Sequence, residues 1–333
     1  MGTTSTIKRG SRQFWPRKRA QKPVARVGSW SSKQLPKETS LLAFPGYKSG
    51  MTSVGLIDNY SNTPTKGTEV NTAATILECP PVKVMSLRLF ALDEKGNLQI
   101  VKEVNANLKD KNLSRKVDLP KKAPQVPSKE ELLEFAKENN VEDVRVKLVT
   151  QPALTSIGKK KPDILESGIS GSSVEENLEY AYSILGKEIK VGDILAGGEQ
   201  MDSHAVSKGK GFQGAVKRFG VKLTSIKSEK KRRHAGNIGA WTPARVFPST
   251  PLPGQHGYQI RTEWNKRVLK VSDNPEEINP ASGFKHYGFV KNDYLLVKGS
   301  LQGPCKRLVT LVRAVNPNER VPKVAPEITR ILK

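Results

Sequence analysis

Cysteine and histidine are scarce, acid is missing from long stretches, and no apolar run is long. The two cysteines, Cys79 and Cys305, stand far apart without metal-ligand spacing. They offer neither a zinc motif nor a disulfide framework and read as reduced thiols of an intracellular chain. The four histidines, His204, His234, His256 and His286, form no HExxH pair, and His204, two positions after Asp202, has no GxSxG nucleophile elbow near it. A dinucleotide fingerprint is absent too. GKGFQG (209–214) comes closest to a phosphate loop but lacks the GK[ST] ending that delivers a lysine and a magnesium-binding hydroxyl. With no convergent set of reactive groups, the chain is expected to be no enzyme and to hold no metal or other cofactor. The basic N-terminus has no apolar signal core, no run approaches a membrane span, and no basic amphipathic helix or lipidation pattern supports an anchor.

The missing acid is the more informative absence. Of 333 residues, 56 are Lys or Arg and 32 are Asp or Glu, a net charge of +24. Residues 1–37 hold ten of the basic side chains and no acid; residues 203–270 hold fifteen against only Glu229 and Glu263. The remaining 228 residues carry 31 basic and 30 acidic side chains, a near-neutral body bearing two basic arms. Concentrating like charge on glycine- and proline-bearing segments creates self-repulsion that no packing opposes, and a polyanion relieves it. Nucleic acid fits best, because counterion release rewards cations spread along an extended chain.

In the first arm Lys8, Arg9, Arg12, Arg17, Lys18, Arg19, Lys22 and Arg26 alternate with Phe14, Trp15 and Trp30. Cations interleaved with rings suit a strand that tracks a nucleic-acid backbone and stacks on unpaired bases; the alternative is a solvated, disordered tail. The second arm contributes Lys208, Lys210, Lys217, Arg218, Lys230, Lys231, Arg232, Arg233, Arg245, Arg261, Lys266 and Arg267. His234, in the run KKRRH, has neighbours that disfavour its protonation and would be favoured by phosphate. Repeated glycines and the lack of apolar periodicity mean this arm cannot build its own core, so something outside the chain must order it. Trp241 sits in GNIGAWTPARV, a setting like a loop tip, where a rigid ring either stacks on RNA bases or fixes the loop by packing; a core anchor is the competing role.

Between the arms the chain reads as mainly β with an α/β insertion. Residues 38–104 give β-rich runs, of which VKVMSLRLFALD and NLQIVKEV flank Glu94-Lys95-Gly96 as a hairpin. Residues 105–186 form the insertion. Ser128 and Ser173 each precede Glu by three positions, predicting two capped helices with Leu132, Phe135 and Ala136 on one face and Leu178, Ala181 and Leu185 on the other, the second stopped by Gly186. VRVKLVTQ between them reads as a strand. Residues 187–202, with VGDILAGG as a strand-turn unit, lead into the basic segment 203–270, and residues 271–316 supply three further β runs. Strands before and after a long insertion imply a barrel or closed sheet, because the later strands must pair with the earlier ones. The tail, 317–333, is Pro-rich, and a short final helix is expected.

FPGYKSGMT (44–52), SKGKGFQGAVKRFGV (207–221), RRHAGNIGAWTPARV (232–246), GQHGYQIRTEWNK (254–266) and FKHYGFVKNDYLLVKGSLQGPCKRLVTL (284–311) resemble, in order, the archaeal and eukaryotic branch of the universal large-subunit ribosomal protein family three; the short tail looks archaeal. Asp202-Ser203-His204 departs from the apolar approach usual before SKGKG. The resemblance implies a six-stranded translation-protein-type β-barrel carrying a basic N-terminal arm and a long central extension with Trp241 at its tip, near the peptidyl-transferase centre. It implies large-subunit ribosomal RNA and neighbouring large-subunit proteins as partners, a cytoplasmic ribosomal location, and support of assembly rather than catalysis. Neither membrane nor DNA is expected as a partner; a non-ribosomal RNA-binding protein or an RNA-modifying enzyme is the alternative.

Overall fold

A computed structural model describes residues 11, 14–30, 39–120, 122, 124–227, 232–242 and 244–333. Lys8, Arg9, Arg12, Lys230 and Lys231 lie outside the described residues. In chain order the strands are β1 (Ala43–Ile57), β2 (Glu69–Glu78), β3 (Val82–Leu92), β4 (Leu98–Asn105), β5 (Val141–Val149), β6 (Ile164–Gly168), β7 (Glu188–Ile189), β8 (Gln200–Val206), β9 (Phe212–Gln213), β10 (Gly254–Gln255), β11 (Ile260–Ser272), β12 (Tyr294–Lys298), β13 (Leu308–Arg313) and β14 (Ile328–Ile331). The helices are α1 (Lys129–Glu138), α2 (Val174–Ile184) and α3 (Ala215–Phe219). The chain forms two compact units, one of residues 1–23 and 206–261, the other of 24–205 and 262–333.

In the larger unit the strand order β13-β8-β11-β12-β2-β1 closes on itself because β1 also pairs with β13, giving a hydrogen-bonded ring of six strands. The length of β1 makes this possible. Its 15 residues pair along one side with β2, while on the other side Ala43–Tyr47 meet β13 and Val54–Leu56 meet β14. Phe44, Tyr47, Ile76, Leu77, Tyr294 and Leu311 are fully or almost fully buried. Each large apolar side chain removed from water contributes about 1.5–3 kcal/mol.

A second sheet, β4-β3-β5-β6 with β7 on β3, carries α1 and α2. Both helices begin as the sequence predicts: Ser128 Oγ accepts from Glu131 N and Ser173 Oγ from Glu176 N. Leu132 and Ala136 of α1 and Leu178 and Ala181 of α2 are buried. Gly186 follows α2 at φ +78°, a conformation that glycine adopts without steric cost.

Several expectations change. The hairpin over residues 82–105 forms, but β3 and β4 join the second sheet rather than the ring. Residues 191–193 are a 3-10 turn rather than a strand, and the strand follows at β8. The three β runs of 271–316 reduce to β12 and β13: in KHYGFV, His286 sits at φ +63° and Phe284 bridges to Gly288 in a tight turn. The tail forms β14 instead of a helix, because Ile328, Thr329 and Ile331 are β-branched and β1 offers an open edge. Finally, residues 260–270 belong to the 13-residue β11.

Two buried polar nodes tie the larger unit together. Tyr47 Oη lies 2.8 Å from Thr150 Oγ1 and donates to Asp163 Oδ2 at 3.1 Å. Glu78 accepts from Tyr287 Oη (2.5 Å), from Lys291 N (2.8 Å), and from Asn292 N (3.1 Å) and Nδ2 (2.7 Å), so the loop before β12 is fastened to the end of β2.

Candidate nucleic-acid interface

The smaller unit holds almost no apolar core, and its only acidic residue, Glu229, is outside the described residues. The chain's own arginines and glycines tie its described residues together, so the expectation that only something outside the chain orders it changes. Arg218, in the last turn of α3, donates from Nε to Gln255 O (2.9 Å), from Nη1 to Leu252 O (2.8 Å) and from Nη2 to Arg17 O (3.0 Å). Arg17 returns a bond from Nη1 to Arg218 O (2.6 Å) and lies over the Phe219 ring at 4.2 Å, with Trp15 5.4 Å from that ring. Two guanidinium groups thus cross-link the N-terminal segment to both ends of the central one. Burial, and for Arg218 the nearby Arg17 charge, lowers both pKa values, yet a guanidinium stays charged.

Further along, Ala20 N donates to Tyr258 O at 2.8 Å and Arg19 lies over the Tyr258 ring at 5.6 Å. Gly257, at φ +69°, passes so close to Lys208 O that a Cβ there would come within 2.1 Å of it. Arg261 covers the Phe14 ring at 4.7 Å while Nη2 donates to Gln259 Oε1 (2.8 Å). His256 sits among Lys210, Arg17, Lys217 and Arg218; burial first and these charges second push its pKa below the ordinary histidine value.

The other cations face outward. Lys18, Arg19, Lys22, Lys208, Lys210, Lys217, Arg232, Arg233 and Arg245 are exposed, as is His234, whose Nδ1 accepts from Gly236 N (3.0 Å). Trp241 is 95% exposed. It is therefore no core anchor in this chain. Three aromatic surfaces in the same unit were not among the expected site residues: Phe212, 76% exposed; Phe247, about half exposed; and Phe219, the platform beneath Arg17. Their signal was present, since each sits in a basic or proline-rich stretch where no apolar periodicity would bury it.

Four residues expected in the arms' interface lie elsewhere. Arg26 is exposed in the larger unit. Lys266, on β11, pairs with Glu263 at 2.7 Å. Arg267 is only 4% exposed and donates from Nη2 to Asn59 Oδ1 (3.0 Å), Pro322 O (3.2 Å) and Val324 O (2.9 Å), holding the tail against the ring. Trp30, read with the arm's stacking aromatics, rests on Gly168 of β6, where a Cβ would meet its ring at 3.0 Å.

Each residue of the polar approach 202–204 has a side-chain hydrogen-bond partner. Asp202 accepts from Asn265 N (2.8 Å) and Val315 N (2.9 Å), Ser203 Oγ meets Gln302 Oε1 (3.0 Å), and His204 Nδ1 lies 3.0 Å from Thr262 Oγ1. Burial raises the Asp202 pKa and lowers that of His204, each partly opposed by the other's charge. These bonds give the triplet a structural role, fastening β8 to β11 through Asn265 and Thr262 and to the loop after β12 through Gln302.

A cation-dense, carboxylate-poor surface with bare aromatic rings, joined to a mainly β body, defines a polyanion-binding protein. Comparison with known families makes the class specific. The family model described as Ribosomal protein L3 matches residues 3–332. The chain is 47% identical over 326 residues to the large ribosomal subunit protein uL3 of Methanocaldococcus jannaschii, covering 97% of this chain and 95% of the relative. It is 45% identical over 320 residues to that of Methanobrevibacter smithii (94% and 93% covered) and 46% identical over 330 residues to that of Methanosphaera stadtmanae (97% and 96%). The chain belongs to the ribosomal protein L3 family.

Proposed function

We propose that this chain is a structural, non-enzymatic constituent of the large ribosomal subunit, held there by large-subunit ribosomal RNA and acting in translation in the cytoplasm. Family membership supports the subunit assignment. The observation that carries the RNA-binding role is the smaller unit, where cations and exposed rings gather and no carboxylate is found among the described residues. Lys and Arg there neutralise closely spaced phosphates, and the glycines let backbone pass through narrow gaps. Contacts of this type fix position more than they read sequence.

Closure of the six-strand ring supports reading it as a translation-protein-type barrel. In that reading residues 1–37 are the basic arm, the residues between β8 and β11 (207–259) the central extension, the second sheet with α1 and α2 the insertion, and Trp241 the tip that approaches the peptidyl-transferase centre and positions RNA near the acceptor site. Neighbouring subunit proteins meet the remaining surface. Sedimentation of a lysate at low and high salt tests the assignment: the chain should stay with the large subunit at high salt. Release into the soluble pool at modest salt would contradict it and favour a peripheral RNA-binding protein.

A further inference from the structure

The basic arms leave one charge run unexplained, Lys159-Lys160-Lys161, on the loop before β6 of the larger unit. A second basic segment, Lys109 to Lys116, follows β4 some 45 residues earlier. The fold brings the two together. Leu113 is buried and anchors a 3-10 turn that ends at Arg115; Pro152 and Thr155 are buried on the other side, with Thr155 Oγ1 donating to Pro152 O (2.7 Å). Between them lies an open cavity of about 320 Å³ whose lining includes Lys111, Asn112, Arg115, Lys159 and Lys160.

Both acids of these segments are turned to other work. Asp110 accepts from Lys83 Nζ (3.2 Å) and Asn112 N (2.8 Å). Asp163, buried, accepts from Tyr47 Oη (3.1 Å) and Lys159 Nζ (2.5 Å). Lys111, Arg115, Lys116, Lys160 and Lys161 are exposed and, among the described residues, stand in no ion pair. Lys111, Arg115 and Lys160 thus gather at one cavity of a body whose charges balance overall.

We infer that this face is a second RNA site, separate from the smaller unit and taking the phosphates of a nucleic-acid backbone. The cavity has no aromatic lining on which a base would stack, so the contact positions the body without reading sequence. An acidic protein partner would ordinarily add an aromatic or apolar anchor, and the cavity lining supplies none larger than Pro152 and Ala153. The inference rests on the ribosomal reading above.

The test uses the full chain carrying K111Q, R115Q, K160Q and K161Q, which leaves Lys159 on Asp163, and a large-subunit ribosomal RNA transcript as probe. All four positions are exposed, and an unchanged circular-dichroism melt verifies folding. Removing four phosphate contacts should flatten the log–log dependence of affinity on salt by roughly 3, so that between about 50 and 200 mM salt the wild type loses roughly 60-fold more affinity than the variant. Hydroxyl-radical footprinting should show one block of RNA protection lost, distinct from the block lost in an R232Q/R233Q control. A variant with the wild-type slope and footprint would overturn the inference, as would an intact footprint with loss of an acidic subunit protein from assembled particles. Failure of the wild type itself to protect the transcript would overturn the ribosomal reading as well.

Discussion

Arg218→Met removes a guanidinium that donates to three carbonyls at 2.8–3.0 Å while keeping most of the aliphatic stem. A hydrogen bond from a charged donor contributes about 1.5–3 kcal/mol when well buried. This side chain is half-buried and water can reach its acceptors once it is gone, so the three bonds together are worth about 2–4 kcal/mol rather than their sum. The loss falls on the smaller unit, because all three acceptors, Gln255, Leu252 and Arg17, lie in it. Local opening there should become roughly 30- to 1,000-fold more populated, and proteolysis that samples the open state should accelerate by the same factor. Trypsin cleavage between residues 206 and 261 should therefore quicken in the RNA-free protein, while the thermal transition of the ring is unmoved. Arg218→Lys should behave much like the methionine variant, since a single ammonium cannot span three divergent carbonyls. Cleavage of Arg218→Met at the wild-type rate would refute the view that this guanidinium organises the unit.

Three further outcomes are expected. His204 has a folded pKa below its ordinary value of 6.5, chiefly through burial, so its contribution to stability is fully present above about pH 6.5 and is lost as pH falls through that value toward the folded one; the melting temperature should drop between pH 7.5 and 5, and His204→Gln should drop less over the same window. Glu78→Ala leaves the donors of Tyr287, Lys291 and Asn292 without their acceptor in a buried place and should cost about 3–5 kcal/mol in urea unfolding; a loss under 1 kcal/mol would contradict the assignment of Glu78 as the fastening of that loop. Trp241→Ala, at a ring that is almost bare, should change stability by no more than about 0.5 kcal/mol while impairing subunit assembly or acceptor-site function, and normal translation in that variant would refute the tip assignment.

Features decided within a few residues were legible in the sequence. The caps at Ser128 and Ser173 are local hydrogen bonds, and they appear where the Ser-x-x-Glu spacing puts them, although Glu176 reaches back to Ser172 rather than to the cap itself. The turn at Glu94-Lys95-Gly96 is likewise local, with Gly96 at φ +74° and Asp93 accepting from Lys95 N and Asn97 N. Which sheet a strand enters is a non-local matter, and no residue of β3 or β4 declares that β5 rather than β2 will pair with it. β14 was missed because four residues carry little periodicity, and its strand state depends on an edge of β1 more than 270 positions away.

The candidate interface shows the same division. Excess charge pointed to a polyanion without any coordinates, because unpaired cations are visible in composition alone. Charge counting could not separate a cation that faces solvent from Arg267, which lies in β11 and binds the tail, or from Lys270, paired with Glu277 at 2.5 Å. Val268, Leu269 and Val271 beside them carried a strand signal that the surrounding charge masked. Nor does a near-neutral total for the body show where its lysines gather, since the partners of Asp110 and Asp163 become known only once the loops are folded together.

The central claim is that the chain binds folded ribosomal RNA through many phosphate contacts with stacking rings among them. Equilibrium binding to a large-subunit ribosomal RNA transcript and to duplex DNA of equal phosphate count, each over a salt series, tests it most directly. If about ten cations meet phosphates, the RNA series should follow a log–log slope on the order of −7 to −9, and RNA should be preferred at every salt concentration because its unpaired bases engage Trp241 and its aromatic neighbours. Equal affinity for the DNA duplex, or a slope near zero, would contradict the account.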